Sequence, residues 1–169
     1  FEELELRWRN QFGAQAERVF FYSWLRSKLG ARLYHNNRQS AGAPLLLINV
    51  SDLPMAPGLW LTAWLASNTG VAVEVFDWPL PPPELALAVE HIQPRAVVLY
   101  SSQALNSTHL QRLLGGYECP CLLVGQVVQI HADELRVISL GNDDLSLAAD
   151  PLAALQHLYD LKLLQSQQD

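Results

Sequence analysis

The sequence predicts an α/β domain built on a five-stranded parallel sheet with flanking helices, preceded by a short helical segment. Three observations predict it. The runs PLLLINV, VAVEVF, RAVVLY and CLLVG are short, almost wholly apolar and partly β-branched, as strands are. They alternate with helix-like stretches at residues 59–68, 83–92, 105–114 and 151–164. Strands that are apolar on both faces need cover on both faces, which parallel sheets obtain from their crossover helices.

Taken in chain order, residues 1–38 read as a helical cap segment. Leu4, Trp8 and Phe12 share one face, and after a break at Gly13 a second set runs through Ala16, Val19, Phe20, Trp24 and Leu29. Arg32 and His35 suit a last turn, and Asn36 and Asn37 suit a stop before the loop of Ser40, Gly42 and Pro44. Residues 44–169 form the α/β domain. Asp77, Trp78 and the prolines from Pro79 to Pro83 read as a stiff loop, with Pro83 opening a helix. RVISL is read as the fifth strand, after a polar turn from His131 to Glu134, and Asn142, Asp143 and Asp144 as a solvated turn. This succession implies a flavodoxin-like, Rossmann-like strand order.

Composition narrows the function classes. A chain of 169 residues, 50% apolar, supplies one sizeable core. With 11 Lys and Arg against 17 Asp and Glu, a net charge of -6 offers no footprint for a phosphate backbone. Cys119 and Cys121 are separated by one proline, too short a span for an unstrained disulfide or a zinc knuckle, so two buried thiols in a reducing compartment are expected. Neither a signal peptide nor an apolar run of membrane-spanning length is present, and a soluble cytoplasmic protein without membrane contact is expected. Phe1 opens directly on charged helical sequence, which reads as part of a longer protein.

In such a fold, ligands bind at the carboxyl ends of the strands near the topological switch point. That singles out three loops: SDLPMAPG after the first strand, SSQAL after the third and GQ after the fourth. Ser51, Asp52, Met55, Gly58, Ser101, Ser102, Gln103, Gly125 and Gln126 are the crevice residues this predicts.

Helical preface, strand order and the stretch PLLLINVSDLPMAPGLWLTAWLASNTGVAVEV together resemble the cobalamin-binding-type regulatory domain of MerR-family transcription regulators, and within them the MerR-like regulators of curli and biofilm genes. The resemblance implies a full-length homodimer that reads DNA through an N-terminal domain absent from this chain. Cobalamin-binding members carry a D-x-H-x-x-G loop after the first strand, an S-x-L element after the third and a Gly-Gly pair after the fourth. Counted back from Gly58, Met55 takes the place of the cobalt-ligating histidine and Leu53 that of its orienting aspartate, with Asp52 adjacent. A thioether is a poor substitute for imidazole at cobalt, and the carboxylate that would orient it is displaced. Ser101 or Ser102 with Leu105 is similar to the S-x-L element, while Gln126 follows Gly125 where a second glycine is usual. Light-sensing members present a tryptophan and then Glu-His from the cap; the resemblance puts Trp8, then Glu17 and Arg18, in those places over the crevice, with the spacing about one residue short and no upper histidine.

Plainer readings hold elsewhere. Trp8, Trp24, Trp60 and Trp64 at helical spacing read as packing rather than a ligand cage. His35, His91, His109, His131 and His157 lie on separate elements and define no metal site. Ser101 and Ser102 lack the Gly-x-Ser-x-Gly setting of a nucleophile, so no catalytic residue is assigned. The expectation is a non-enzymatic regulatory and oligomerisation domain without a cofactor, open to an unidentified small-molecule effector and self-associating through the segment from Phe1 to Arg38. The alternative is a sensor or corrinoid carrier that holds cobalamin or another tetrapyrrole without the histidine.

Overall fold

The computed structural model describes residues 3, 4, 6, 14–40, 42–53, 56–115 and 117–164. The elements run α1 (Ala14–Asn37), β1 (Leu45–Asn49), α2 (Pro57–Ser67), β2 (Val73–Phe76), α3 (Pro82–Ile92), β3 (Ala96–Tyr100), α4 (Ser107–Leu114), β4 (Cys121–Val124), α5 (Val127–Ile130), α6 (Ala132–Leu140), β5 (Leu145–Ala148) and α7 (Pro151–Asp160). All strand pairings are parallel and the sheet order is β2-β1-β3-β4-β5, the flavodoxin-like order.

Successive residues of each strand feed opposite cores, as period-2 geometry demands. Leu45, Leu47, Val73, Val98, Leu122 and Val124 meet Leu59, Ala63 and Ala66 of α2 and Ala154 and Leu158 of α7 on one face. Leu46, Ile48, Val97, Leu99, Cys121 and Leu123 meet Leu85 of α3, Leu110 and Leu113 of α4 and Leu135 of α6 on the other. Helix starts are chemically marked. Asn106 caps α4 by accepting from the backbone of Thr108 and His109, Asp150 caps α7 through Ala153, and prolines occupy the first turns of α2, α3 and α7.

One expected element is corrected. RVISL is the end of α6, not a strand, and the fifth strand is LSLA after the Asn142–Asp144 turn. Asp133 and Glu134, expected in a polar turn, instead form the acidic first turn that favours a helix start, and the helix then buries only Leu135 fully.

The second preface helix forms as α1. The first helix and its Gly13 break fall largely outside the described residues. One stripe of α1, with Tyr22, Leu29 and Leu33 buried and Leu25 partly so, lies along α2. Its C-terminal end is fastened to the sheet by Asn37, whose Nδ2 donates to Val73 O while its Oδ1 accepts from Val73 N. Asn36 donates beside it to Ser67 Oγ and Asn68 Oδ1.

Candidate functional site

The switch point lies between β1 and β3, which run out side by side toward the loops singled out above. β1 ends on Asn49, fully buried at the tip of an otherwise apolar strand. Its Nδ2 donates to Leu53 O and Asp77 O, and its Oδ1 accepts from both the backbone N and the hydroxyl of Ser51. One buried amide therefore fixes the loop after β1 and ties it to the loop after β2. Ser51 is buried within that knot and Asp52 points to solvent.

Beside it, β3 ends on Tyr100. Its ring packs so closely on the backbone of Gly58, in the first turn of α2, that a methyl group at residue 58 would collide with the phenol. Burial pushes the Tyr100 hydroxyl above its ordinary value. Gly125, at φ +114°, brings its backbone against Ser101 O and also leaves no room for a side chain. Backbone bonds from Val50 to Tyr100, Ser101 to Val124 and Val127 to Ser101 carry the pairing past the strand ends and draw the loops together.

Ser101 is fully buried, and its hydroxyl donates to Gln103 O while accepting from Gln103 N, a local turn rather than the setting of an activated nucleophile. Ser102 and Gln103 are half-buried, and Gln126 is exposed at the start of α5. His131 pins the same wall. Its Nε2 accepts from Leu105 N, which leaves the neutral ring's proton on Nδ1, facing Glu134 Oε1 at 3.4 Å.

From above, α1 closes the β2 side. Arg26 Nη2 lies 2.7 Å from Asp77 Oδ2, and the other carboxylate oxygen accepts from Trp60 Nε1. Asp77 is only 8% exposed, so this pairing compensates a nearly buried charge. The Arg26 guanidinium also stands 5.6 Å above the Trp60 ring. What remains between α1 and the start of α2 is a cavity of about 10 Å³ lined by Tyr22, Leu25, Arg26, Ala56, Pro57 and Trp60, room for one water at most.

The structure sets Ser51 after β1, Gly58 in the first turn of α2, and Ser101 and Gly125 in contact after β3 and β4, and leaves Asp52 and Gln126 exposed. Of the cap residues, Glu17 is exposed and Arg18 stacks its guanidinium on Tyr22. Met55 and Trp8 lie outside the described residues. Sequence reasoning missed Asn49, Asp77 and Tyr100. The available signal was a polar residue closing a fully apolar strand. Among the described residues no group of three or more His, Cys, Asp or Glu is placed to hold a metal ion, and no helix is long and apolar enough to cross a membrane. No protein-family model and no curated protein matches this chain.

Proposed function

We propose that this chain is the regulatory and self-association domain of a MerR-type transcription regulator, and that its crevice serves as packing rather than as a cobalamin site. The observation that carries this reading is how the crevice is filled. Tyr100 takes the space beneath Gly58, Asn49 knots the loop where a cofactor's lower face would lie, and α1 is latched over the β2 side through Arg26 and Asp77. These are packing contacts, hydrogen bonds and an ion pair, and none of them pairs a nucleophile with a base. The formal charge of -6 supports DNA contact through another domain of the full protein rather than through this one. A small-molecule effector would have to displace the Arg26–Asp77 latch to enter, and self-association through the preface segment is the route by which the domain would act on a DNA reader.

The test uses purified protein mixed with hydroxocobalamin or adenosylcobalamin, desalted, and read by visible absorption. No retained corrinoid is expected, and Met55→His alone should leave that unchanged. A corrinoid spectrum surviving desalting overturns the reading of the crevice. For the regulator, the complete gene product is expected to shift a fragment of its own promoter in a gel, whereas residues 1–169 alone do not. A catalytic barrel or methyltransferase module in the complete product overturns the assignment.

A further inference from the structure

His131 stands at the junction of two helices, closing α5 and opening α6. Its backbone is held on both sides, the amide donating to Val127 O and the carbonyl accepting from Leu135 N. The side chain is only 11% exposed, and the ring reaches across to the loop after β3, where Nε2 accepts from Leu105 N at 2.9 Å. Among the described residues Leu105 N has no other acceptor. A second tie joins the same loop to α5, Val127 N donating to Ser101 O. Residues 102–105 thus form a short span fastened at its start through Ser101 and at its end by an imidazole. Just beyond, Asn106 caps α4 independently, by accepting from Thr108 N and His109 N.

A ring nitrogen accepts a hydrogen bond only while it is bare. The Leu105 bond therefore needs the neutral ring with its proton on Nδ1. Protonation puts a hydrogen on both nitrogens and sets the Nε2 proton against the Leu105 proton, so this bond is lost. The opposite side of the ring gains. Nδ1 faces Glu134 Oε1 at 3.4 Å, a long contact that strengthens into a charged pair once the ring carries a proton. Ser107 Oγ, in the first turn of α4, donates to the same oxygen at 3.2 Å and holds the carboxylate in place. The surroundings add little else. From α6, Asp133 is 98% exposed and pairs with Arg136, while the helix N-terminus opposes a positive ring. The span from Ser101 to Asn106 and helix α5 carry no charged side chain, and His109 and Arg112 of α4 neither bond nor pair with the ring.

We propose that His131 is an acid-released latch on the loop after β3, holding residues 102–105 against α5 while neutral and turning to Glu134 when protonated. Histidine suits this role because imidazoles change charge between about pH 5 and 8. Ser102 and Gln103, two of the residues predicted to line the crevice, ride on the released span. Acid thus loosens one rim of the switch point, while the sheet, the Val127–Ser101 bond and the Asn106 cap stay as they are.

Nuclear magnetic resonance of the intact chain between about pH 8 and 5 tests the latch. Long-range proton–nitrogen spectra are expected to show His131 with a bare Nε2 at the upper end and a doubly protonated ring at the lower. The Leu105 amide signal should move with the same midpoint, and its protection from hydrogen exchange, corrected for the intrinsic effect of pH, should fall about fivefold. Val127 and Thr108 amides should keep theirs. Glu134→Gln removes the charge that favours the protonated ring, so the midpoint is expected to move to lower pH. His131→Gln leaves an acceptor for Leu105 at every pH, and should abolish the response. A ring that titrates without moving Leu105 overturns the latch, as does a ring that stays neutral until the protein unfolds in acid. A Leu105 response that persists in folded His131→Gln assigns the change to another group and overturns it too. An unmoved midpoint in Glu134→Gln overturns the part given to the carboxylate.

Discussion

Tyr100 and Gly58 act as one unit, because the ring occupies the space a side chain at residue 58 would need. Gly58→Ala is expected to cost about 1–3 kcal/mol through overpacking, measured as a lower urea midpoint. Truncating Tyr100 to Ala should reduce that cost in the double variant, and strictly additive losses would show that the two do not share the space. The glycines and Ser101 were legible in the sequence because their loops have a recognisable position after each strand. Tyr100 was not, since a tyrosine closing an apolar strand looks like one more core aromatic until the fold sets it against Gly58. Asn49 and Asp77 share that difficulty: they lie 28 residues apart and meet only because β1 and β2 are neighbours in the sheet.

At the scale of elements, strands β1 to β4 and helices α2, α3, α4 and α7 form within a few residues of the positions that apolar runs and prolines indicate. The exception is instructive. RVISL is five residues long, and in so short a window β-branching competes with helical spacing. The helix won because Leu135 and Ile138 lie three residues apart facing the core, while Val137 and Leu140 face solvent. The replacements tell helix from strand. Leu135→Ala is expected to lose about 2–5 kcal/mol, whereas Val137→Asp should stay within about 0.5 kcal/mol of the parent. In a strand, residues 135 and 137 share a face, so equal losses in chemical denaturation would contradict the helix. The true fifth strand, LSLA, carries no β-branched residue and was masked by its own sequence.

At the scale of the molecule, the cysteines couple stability to pH. Burial raises the Cys121 thiol to about 12, and it also raises Cys119, where the nearby Asp144 charge adds to the effect. A thiol that titrates higher when folded contributes stability that is complete below its unfolded value and is lost as pH rises toward its folded one. Between about pH 9 and 12 the unfolded chain binds fewer protons than the folded one, so stability falls with a limiting slope of about 1.4 kcal/mol per pH unit per group. Cys121→Ala is expected to remove its share of that slope in urea titrations, at the cost of a small loss at neutral pH. An unchanged alkaline slope would place its origin in the partly buried tyrosines Tyr100 and Tyr117, which desolvation also raises. At neutral pH, iodoacetamide should leave Cys121 unmodified until the protein unfolds.

The two hydrogen bonds between Asn37 and Val73 have a consequence beyond holding α1 in place. β2 is the last strand on its side of the sheet, and Val73 presents its amide and carbonyl outward, where a strand from another molecule would otherwise pair. The Asn37 side chain fills that rung with an imitation of a backbone, so the border of the sheet begins already satisfied. Asn37→Ala is expected to lower stability by only about 1 kcal/mol. Its larger effect should be fibrillar aggregation of still-folded protein, followed by thioflavin fluorescence at temperatures well below unfolding. If aggregation instead tracks the unfolded fraction, the side chain is a simple fastener and not a guard of the sheet's border.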